Sequence, residues 1–534
     1  MGRPAERHER ERSLRKYVNP AAQAGGLSGI LDAGRCLARP PSLTGDLPPG
    51  ARGFATDPDH DDFRSECCVK YLGRSRLPRR AVRPAGSHEW YGGRRPRRRA
   101  PCLESCTMQN TAETGPDDLI DVTHLLDDPY AGYAALRDAG PVHRIAGPDG
   151  QPAWLVTRYE DVRCGLSDPR LSLDKCHARS GYRGFSLPPA LDANLLNMDP
   201  PDHTRVRRLV AKAFTPARVE KLREPVRRLA DGLLDAVAEA GRADLMASYA
   251  GPLPIVVICD LLGVPERDRP DFRSWTDAMF TPDPARPEQT KEAVGAMMRY
   301  YTGLIAAKRT APGDDLLSDL IMVRDGGTEG AADGGAAPDA GARPDLGADP
   351  DAGADRLTED ELTSLAFLLL LAGYENTVHL IGNSVLALLD HPERLRTLRA
   401  DPAELPKAVE EFARYDGPVS LAIRRFPVED VEIGGVRVPQ GETVLLSLAS
   451  ANRDPHRFPD AGTLDPGRDA GGHLTFGHGI HYCLGAALGR METETALAAL
   501  ISRFPGLRLD VPRAALRHRR TLRAHGLISL PVAW

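Results

Sequence analysis

The stretch Phe476-Gly477-His478-Gly479-Ile480-His481-Tyr482-Cys483-Leu484-Gly485-Ala486-Ala487-Leu488-Gly489-Arg490 constrains this chain more than any other. Glycines crowd the approach to one cysteine, and a helical pattern begins directly after it. Glycine lets the backbone turn tightly and approach a flat partner without Cβ clashes. A cysteine beside a helix N-terminus meets unpaired N–H groups and a positive dipole end, which favour thiolate. Phe476, seven residues upstream, is placed to cover the sulfur, and amide donors to tune its electron density. A cysteine without such surroundings is ordinarily a small buried hydrophobe. These surroundings point instead to a ligand.

The rest of the chain is compatible with a large core around that loop. Of 534 residues, 41% are hydrophobic and 27% charged, an ordinary globular balance. The formal net charge of -5 gives no reason to expect nucleic acid as a partner. No run approaches the unbroken apolar length of a membrane span, and the greasiest, Leu365 to Ala372, passes straight into Gly373-Tyr374-Glu375-Asn376. The N-terminus lacks the apolar core of a secretory signal, so a cytoplasmic protein is expected. Nine cysteines are too sparse for a disulfide framework, and the four after Met108 (Cys164, Cys176, Cys259, Cys483) contain no CxxC pair for zinc.

Residues 1–107 differ from the remainder of the chain. They are rich in Arg, Pro and Gly, reach Arg94-Arg95-Pro96-Arg97-Arg98-Arg99, and carry about nine more basic than acidic side chains. Weak apolar periodicity leaves little core. The readings are a disordered tail, a basic arm for an acidic partner, or an upstream segment of a protein that begins at Met108. Residues 108–534 form the expected domain, interrupted at 326–355 by a low-complexity Gly/Ala/Asp/Pro insert that reads as a flexible surface loop. Within the domain the spacing predicts a helix after Asp128-Pro129, ended by Gly140-Pro141, and a strand at Trp154–Thr157. Long helices are predicted near 204–214, 217–240, 289–308, 359–390 and 405–415. Short strands are predicted at Val431–Ile433 and Val444–Leu446, the first ended by a Gly434-Gly435 turn, and a last helix starts near Leu484.

The cysteine segment resembles the haem-ligand loop of the cytochrome P450 family, bacterial class, whose pattern Phe-Gly-x-Gly-x-His-x-Cys-Leu-Gly is matched at every specified position. Two further segments carry the resemblance in the expected order. Glu411-Phe412-Ala413-Arg414 matches the family's Glu-x-x-Arg helix, a fold-stabilising pair set on one face by its spacing. In Asp199-Pro200-Pro201-Asp202-His203-Thr204-Arg205-Val206-Arg207, His203 and Arg207 are four apart and share a helix face. The resemblance implies a mainly α fold with small β-sheets, haem b held through its iron by Cys483, and a cofactor pocket that includes Phe476 and Gly485. It also implies that His203, Arg207, Arg425 and His481 grip the haem propionates, with Arg424 able to exchange roles with Arg425. Two buried carboxylates need such cations.

The implied reaction is insertion of one atom of O2 into a C–H or C=C bond. The apolar helix around Ala372-Gly373-Tyr374-Glu375-Asn376-Thr377 matches the family's small-Gly-x-acid-Thr element, in which acid and hydroxyl deliver protons. Glu375 fits the acid. The sequence departs at the alcohol: Asn376 stands there, and Thr377 comes about 100° further round the helix. Asn hydrogen-bonds but does not relay protons as a hydroxyl does. Ordered water or a substrate hydroxyl completes the relay, or a helix distortion recruits Thr377, or the chemistry is not ordinary hydroxylation.

No GxGxxG lies between a strand and a helix, so electrons from NAD(P)H are expected through a ferredoxin and a ferredoxin reductase. Arg208, Lys212 and Arg490 are candidate docking residues. The expected substrate loops are Ser172–Asn197, Ala278–Pro287, Val419–Ile423 and His525–Ile528. Their apolar residues, Phe185, Leu187, Met279, Phe280, Leu421 and Leu527, suit a lipophilic molecule such as a polyketide or other secondary metabolite. The rival readings are a haem-binding sensor or carrier, and a haem-free helical interaction protein.

Overall fold

A computed structural model of the chain describes Leu119–Trp534 apart from residues 148–149, 180, 183–188, 212–213, 281–285, 287 and 326–355. The basic segment 1–107, the insert 326–355, Lys212, Phe185 and Leu187 lie outside the described residues.

Helices dominate. The longer ones among the described residues are, in chain order, α1 (Pro129–Ala139), α2 (Tyr159–Ser167), α3 (Asp202–Ala211), α4 (Pro216–Ala238), α5 (Pro252–Leu261), α6 (Arg269–Phe280), α7 (Glu288–Thr310), α8 (Leu316–Asp325), α9 (Glu359–Asp390), α10 (Pro392–Ala400), α11 (Leu405–Tyr415) and α12 (Ala486–Arg503). Their starts reflect local chemistry. Asp128 caps α1 ahead of Pro129, and the Thr215 side chain accepts from the Arg218 N–H ahead of α4, which opens on Pro216. Thr358 and Glu361 close a capping box on α9: Glu361 N donates to Thr358 Oγ1 at 3.1 Å, and Thr358 N to Glu361 Oε2 at 2.8 Å.

The strands are short and pair across long stretches of chain. β1 (Val142–Ala146) and β2 (Pro152–Val156) are antiparallel, and β2 pairs in parallel with β8 (Thr443–Leu446). β4 (Arg242–Asp244), β10 (Pro531–Ala533) and β9 (Arg508–Leu509) form a second sheet with β10 in the middle. β3 (Leu171–Ser172) pairs with β5 (Phe426–Pro427), and β6 (Val431–Ile433) with β7 (Val436–Val438). The turn between β6 and β7 is Gly434-Gly435, with φ of 55° and 81°, the left-handed geometry a two-residue hairpin demands. This is the mainly α fold with small sheets that the sequence implied.

α9 is the axis of the main core. Leu362, Leu365, Phe367, Leu370, Ile381 and Val385 are buried with Leu233 of α4, Ile258 of α5 and Leu497 of α12. By length and composition alone (mean hydropathy 1.4 over its most apolar window) this helix would suffice to cross a membrane, but most of that window is covered by the protein's own core.

α11 presents Glu411 and Arg414 inward. Arg414 Nε and Nη2 donate to the two Glu411 oxygens at 2.7 and 2.8 Å, and Nη1 to the carbonyls of Asn452 and Ala461 at 2.9 and 3.0 Å. Both side chains are 0% exposed, so the pair holds α11 to the meander that leads into the cysteine loop.

Candidate active site

The cysteine loop closes on itself. Cys483 N donates to the Phe476 carbonyl at 2.8 Å, and Tyr482 N to that of Gly479 at 3.2 Å. Gly477 and Gly479 take φ of 74° and 72°, and a Cβ on Gly479 would press within 3.1 Å of the Leu166 carbonyl at the end of α2. Cys483 stands three residues before α12 and accepts from the Gly485 N–H; the residue keeps some open surface, although protein atoms surround the sulfur closely. Burial of the sulfur pushes its thiol up, more than Gly485, Arg207 and Arg490 pull it down. The dipole argument alone favours thiolate; here desolvation outweighs it, and a bound cation is what would reverse the balance.

Beside the loop lies a cluster of basic side chains. The His203 ring is 4.1 Å from that of His481, centroid to centroid. Arg207 Nη2 donates to the Tyr482 carbonyl at 2.5 Å, fastening α3 to the loop. Arg425 is buried where its segment bridges to Val444 of β8, and its Nη1 donates to the Leu171 carbonyl at 3.3 Å. Burial, together with the neighbouring positive groups, pushes His203 down to about 4 and His481 to about 3; burial takes Arg425 to about 10. Among the described residues, both ring nitrogens of His203, Nε2 of His481 and Nε of Arg425 are buried without a hydrogen-bond partner. Arg424 goes elsewhere: it lies over the Tyr182 ring and donates to Asn197 Oδ1 at 3.0 Å.

Across from these, α9 runs without a break through 372–377, and its side chains separate. Asn376 Nδ2 donates back to the Ala372 carbonyl at 3.2 Å. Thr377 Oγ1 donates to the Gly373 carbonyl at 3.0 Å and is buried; a Cβ on Gly489 would lie 3.9 Å from it and 4.0 Å from Phe476 Cε1. Thr377 therefore faces the helix that comes after the cysteine, and no distortion turns it toward Ala372. Gly373 packs on α5, where a Cβ would strike Ile258 Cδ1 at 2.6 Å. Glu375 is half-buried, with Arg519 Nη1 3.7 Å and His379 Nε2 3.6 Å from its Oε1.

The family model "Cytochrome P450" matches residues 346–511. The chain is 47% identical over 414 residues to the cytochrome P450 monooxygenase PikC of Streptomyces venezuelae, covering 76% of this chain and 91% of that protein. It is 41% identical over 404 residues to the mycinamicin IV hydroxylase/epoxidase of Micromonospora griseorubida, covering 75% and 94%. The solved structure of the tirandamycin C-bound P450 monooxygenase TamI superposes with a TM-score of 0.67 at 42% identity, over 78% of this chain and all of that one. The chain belongs to the cytochrome P450 family.

As a P450 it is a haem-dependent oxidoreductase, a monooxygenase, and the residues fit that cofactor. Four buried nitrogens without partners, on two histidines whose protonation burial and neighbouring positive groups suppress and on one buried arginine, are what a pair of carboxylates would complete. The crowded thiol of Cys483 is what a bound metal would ionise.

An open pocket of about 420 Å³ lies along the cysteine loop of the P450, lined by Arg163, Glu410, His473, His478, Tyr482 and Arg490 among others. It includes none of His203, Arg425 or Glu375, and its charged lining does not suit a lipophilic substrate. Arg490, a candidate docking residue, is committed within it: it pairs with Glu410 at Nη2–Oε2 2.9 Å, donates to Tyr482 Oη at 3.1 Å and covers Phe476 at 4.3 Å. Its charge braces the loop. Arg208 is exposed. Of the substrate-loop residues, Leu421 and Leu527 are buried in the core. Met279 is partly buried against the main core, and the side chain of Phe280 lies outside the described residues.

Two neighbours of Glu375 escaped the sequence reading. His379 carried a signal, its spacing of four from the acid. Arg519 carried none, since only the folding of the C-terminal loop brings it to α9.

Proposed function

We propose that this P450 hydroxylates or epoxidises a lipophilic secondary metabolite of polyketide or macrolide type, and that Cys483 would hold the iron of its haem. The observation that carries the chemistry is the closed cysteine loop beside a buried cluster of basic side chains with unpartnered nitrogens. The substrate class is supported by relatives whose names speak of mycinamicin and of polyketide biosynthesis.

In this reading His203, Arg207, Arg425 and His481 bind the two propionates, and Phe476 with Arg490 above it keeps water from the sulfur. The Gly485 N–H withdraws charge from that sulfur and so tunes it. When bound, the haem supplies activation of dioxygen, using two electrons. Glu375 holds the proton that the reaction consumes. Asn376, bonded to the Ala372 carbonyl, fixes the helix surface there and leaves proton transfer to other groups. Electrons come from NAD(P)H through a ferredoxin and its reductase in the cytoplasm.

The test is titration of the purified ferric protein with a panel of macrolides, linear polyketides and unrelated polar metabolites. A low-to-high spin shift confined to the lipophilic polyketides, then an oxygenated product once redox partners are added, is expected. A shift with polar metabolites alone would overturn the substrate class.

A further inference from the structure

Glu375, His379 and Asn383 stand four residues apart on α9, one above the other. His379 is 2% exposed, yet among the described residues neither of its ring nitrogens has a hydrogen-bond partner. Its Nε2 is 3.6 Å from Glu375 Oε1, just beyond hydrogen-bond length. The C-terminal loop lies directly on the ring: a Cβ on Gly526 would fall 2.1 Å from His379 Nδ1. Glycine at 526 is what gives this imidazole its place.

The same loop continues the polar file outward. His518 and His525 are stacked, 4.6 Å between centroids and 11° apart in plane, and both are partly exposed. His525 Nε2 lies 3.2 Å from Asp416 Oδ1, which also accepts from Tyr130 Oη at 2.5 Å. Asn383 Nδ2 ties helix to loop, donating to the carbonyls of Asp416 and His525 at 3.0 and 3.1 Å. Burial and then the His525 charge push His518 down to about 4. An antiparallel bridge from His518 to Leu527, the residue after Gly526, brings it to the part of the loop that covers His379. His525 moves up, because Asp416 outweighs its burial. Arg519 faces Glu375, Arg513 acts on His518 and His525, and Arg453 stands by Asp416. Burial first, and then the His525 and Arg513 charges, make His518 a place for a proton to pass rather than rest.

We propose that His379 is the relay residue that reprotonates Glu375, supplied from solvent along His525 and His518. This rests on the P450 reading and deepens it. The histidine file supplies protons where Asn376 has removed the usual hydroxyl. In each transfer the ring first takes a proton at Nδ1 from the His518 side and becomes imidazolium; its Nε2–H bond then breaks as an O–H bond forms on the Glu375 carboxylate, and return of the remaining ring proton from Nδ1 to Nε2 resets the neutral ring. No oxidant or reductant is involved.

The test uses the haem-loaded full chain with His379→Asn, His379→Leu and His518→Asn. All three should keep the reduced carbon monoxide spectrum of the parent. Product formed per reductant consumed should fall at least about tenfold in the His379 variants, less than the roughly hundredfold or more usual for a lost acid–base group because water shares the route. The solvent deuterium isotope effect should rise with it. A second readout is independent of turnover: exchange of the His379 ring proton with water, monitored by ¹⁵N-histidine NMR in the reduced carbon monoxide complex. His518→Asn should slow it about tenfold or more. Unchanged coupling in both His379 variants, or unchanged exchange in His518→Asn, would overturn the relay. Absence of the carbon monoxide signature from the parent would overturn the haem-thiolate reading, and the relay with it.

Discussion

Replacing Arg414 by leucine strands a carboxylate where water does not reach. The guanidinium satisfies both Glu411 oxygens and the carbonyls of Asn452 and Ala461, all at 3.0 Å or less, with both charged side chains 0% exposed. Removing one partner of a buried ion pair costs about 3–5 kcal/mol. Glu411 would keep the Asp465 N–H at 2.9 Å and Arg468 Nε at 3.4 Å, which places that loss at the low end. The two orphaned carbonyls add about 1 kcal/mol each, so the total is about 5 kcal/mol. For about 400 ordered residues the unfolding entropy is about 0.8 kcal/mol per kelvin, and Tm should drop by about 6 °C. The assay is urea and thermal unfolding of the haem-loaded protein, read by tryptophan fluorescence and Soret absorbance, with Arg414→Lys as the variant that keeps charge but loses the fork. Since Arg414 anchors the meander before the cysteine loop, haem content should fall alongside stability. A loss within about 1 kcal/mol for Arg414→Leu would refute the reasoning, because it would mean the carboxylate was never sealed from solvent.

Other expectations rest on single groups. Asn376→Thr restores a hydroxyl beside Glu375 and should change the ratio of product to reductant consumed; an unchanged ratio and rate would remove position 376 from proton delivery. Arg425→Leu should weaken haem retention, measured by transfer of haem to apomyoglobin, while Arg424→Leu should not. Although burial alone would raise it, Asp416 is held at about 2 by His525 and Tyr130, a share of stability of about 2 kcal/mol that is complete above about pH 4 and lost as pH falls further. His525 is raised, so its share is present below about pH 6.5 and lost as pH climbs through its folded value. The stability advantage of the parent over Asp416→Asn should therefore be flat between those limits and decline on either side. A constant difference up to alkaline pH would show that His525 is not the partner.

What was legible in the sequence was local chemistry. The cysteine loop is contiguous, and its glycines are where the backbone takes φ of 74° and 72°. Helix starts were legible where a cap and a proline coincide, as at Asp128-Pro129, and α9 and α11 were bounded correctly because their apolar spacing is long and regular. α5 was not. Its Leu253, Ile255, Val256, Val257 and Ile258 are buried on every side, which erases the helical period, and β-branched residues mimic a buried strand. The two-residue strands β3 and β5 pair Leu171 with Pro427, and nothing near either residue announces the other. At the site, the ambiguity between Arg424 and Arg425 yields only to extended geometry, in which neighbours point to opposite sides. Arg519 reaches Glu375 across a span of chain that no motif covers.

The most direct measurement is the absorption spectrum of the reduced protein under carbon monoxide, for the parent and for Cys483→Ala. The account predicts a red-displaced Soret band in the parent, diagnostic of a sulfur donor to iron, and its disappearance in the variant. A parent that binds haem without that band, or a variant that retains it, would contradict the assignment of Cys483.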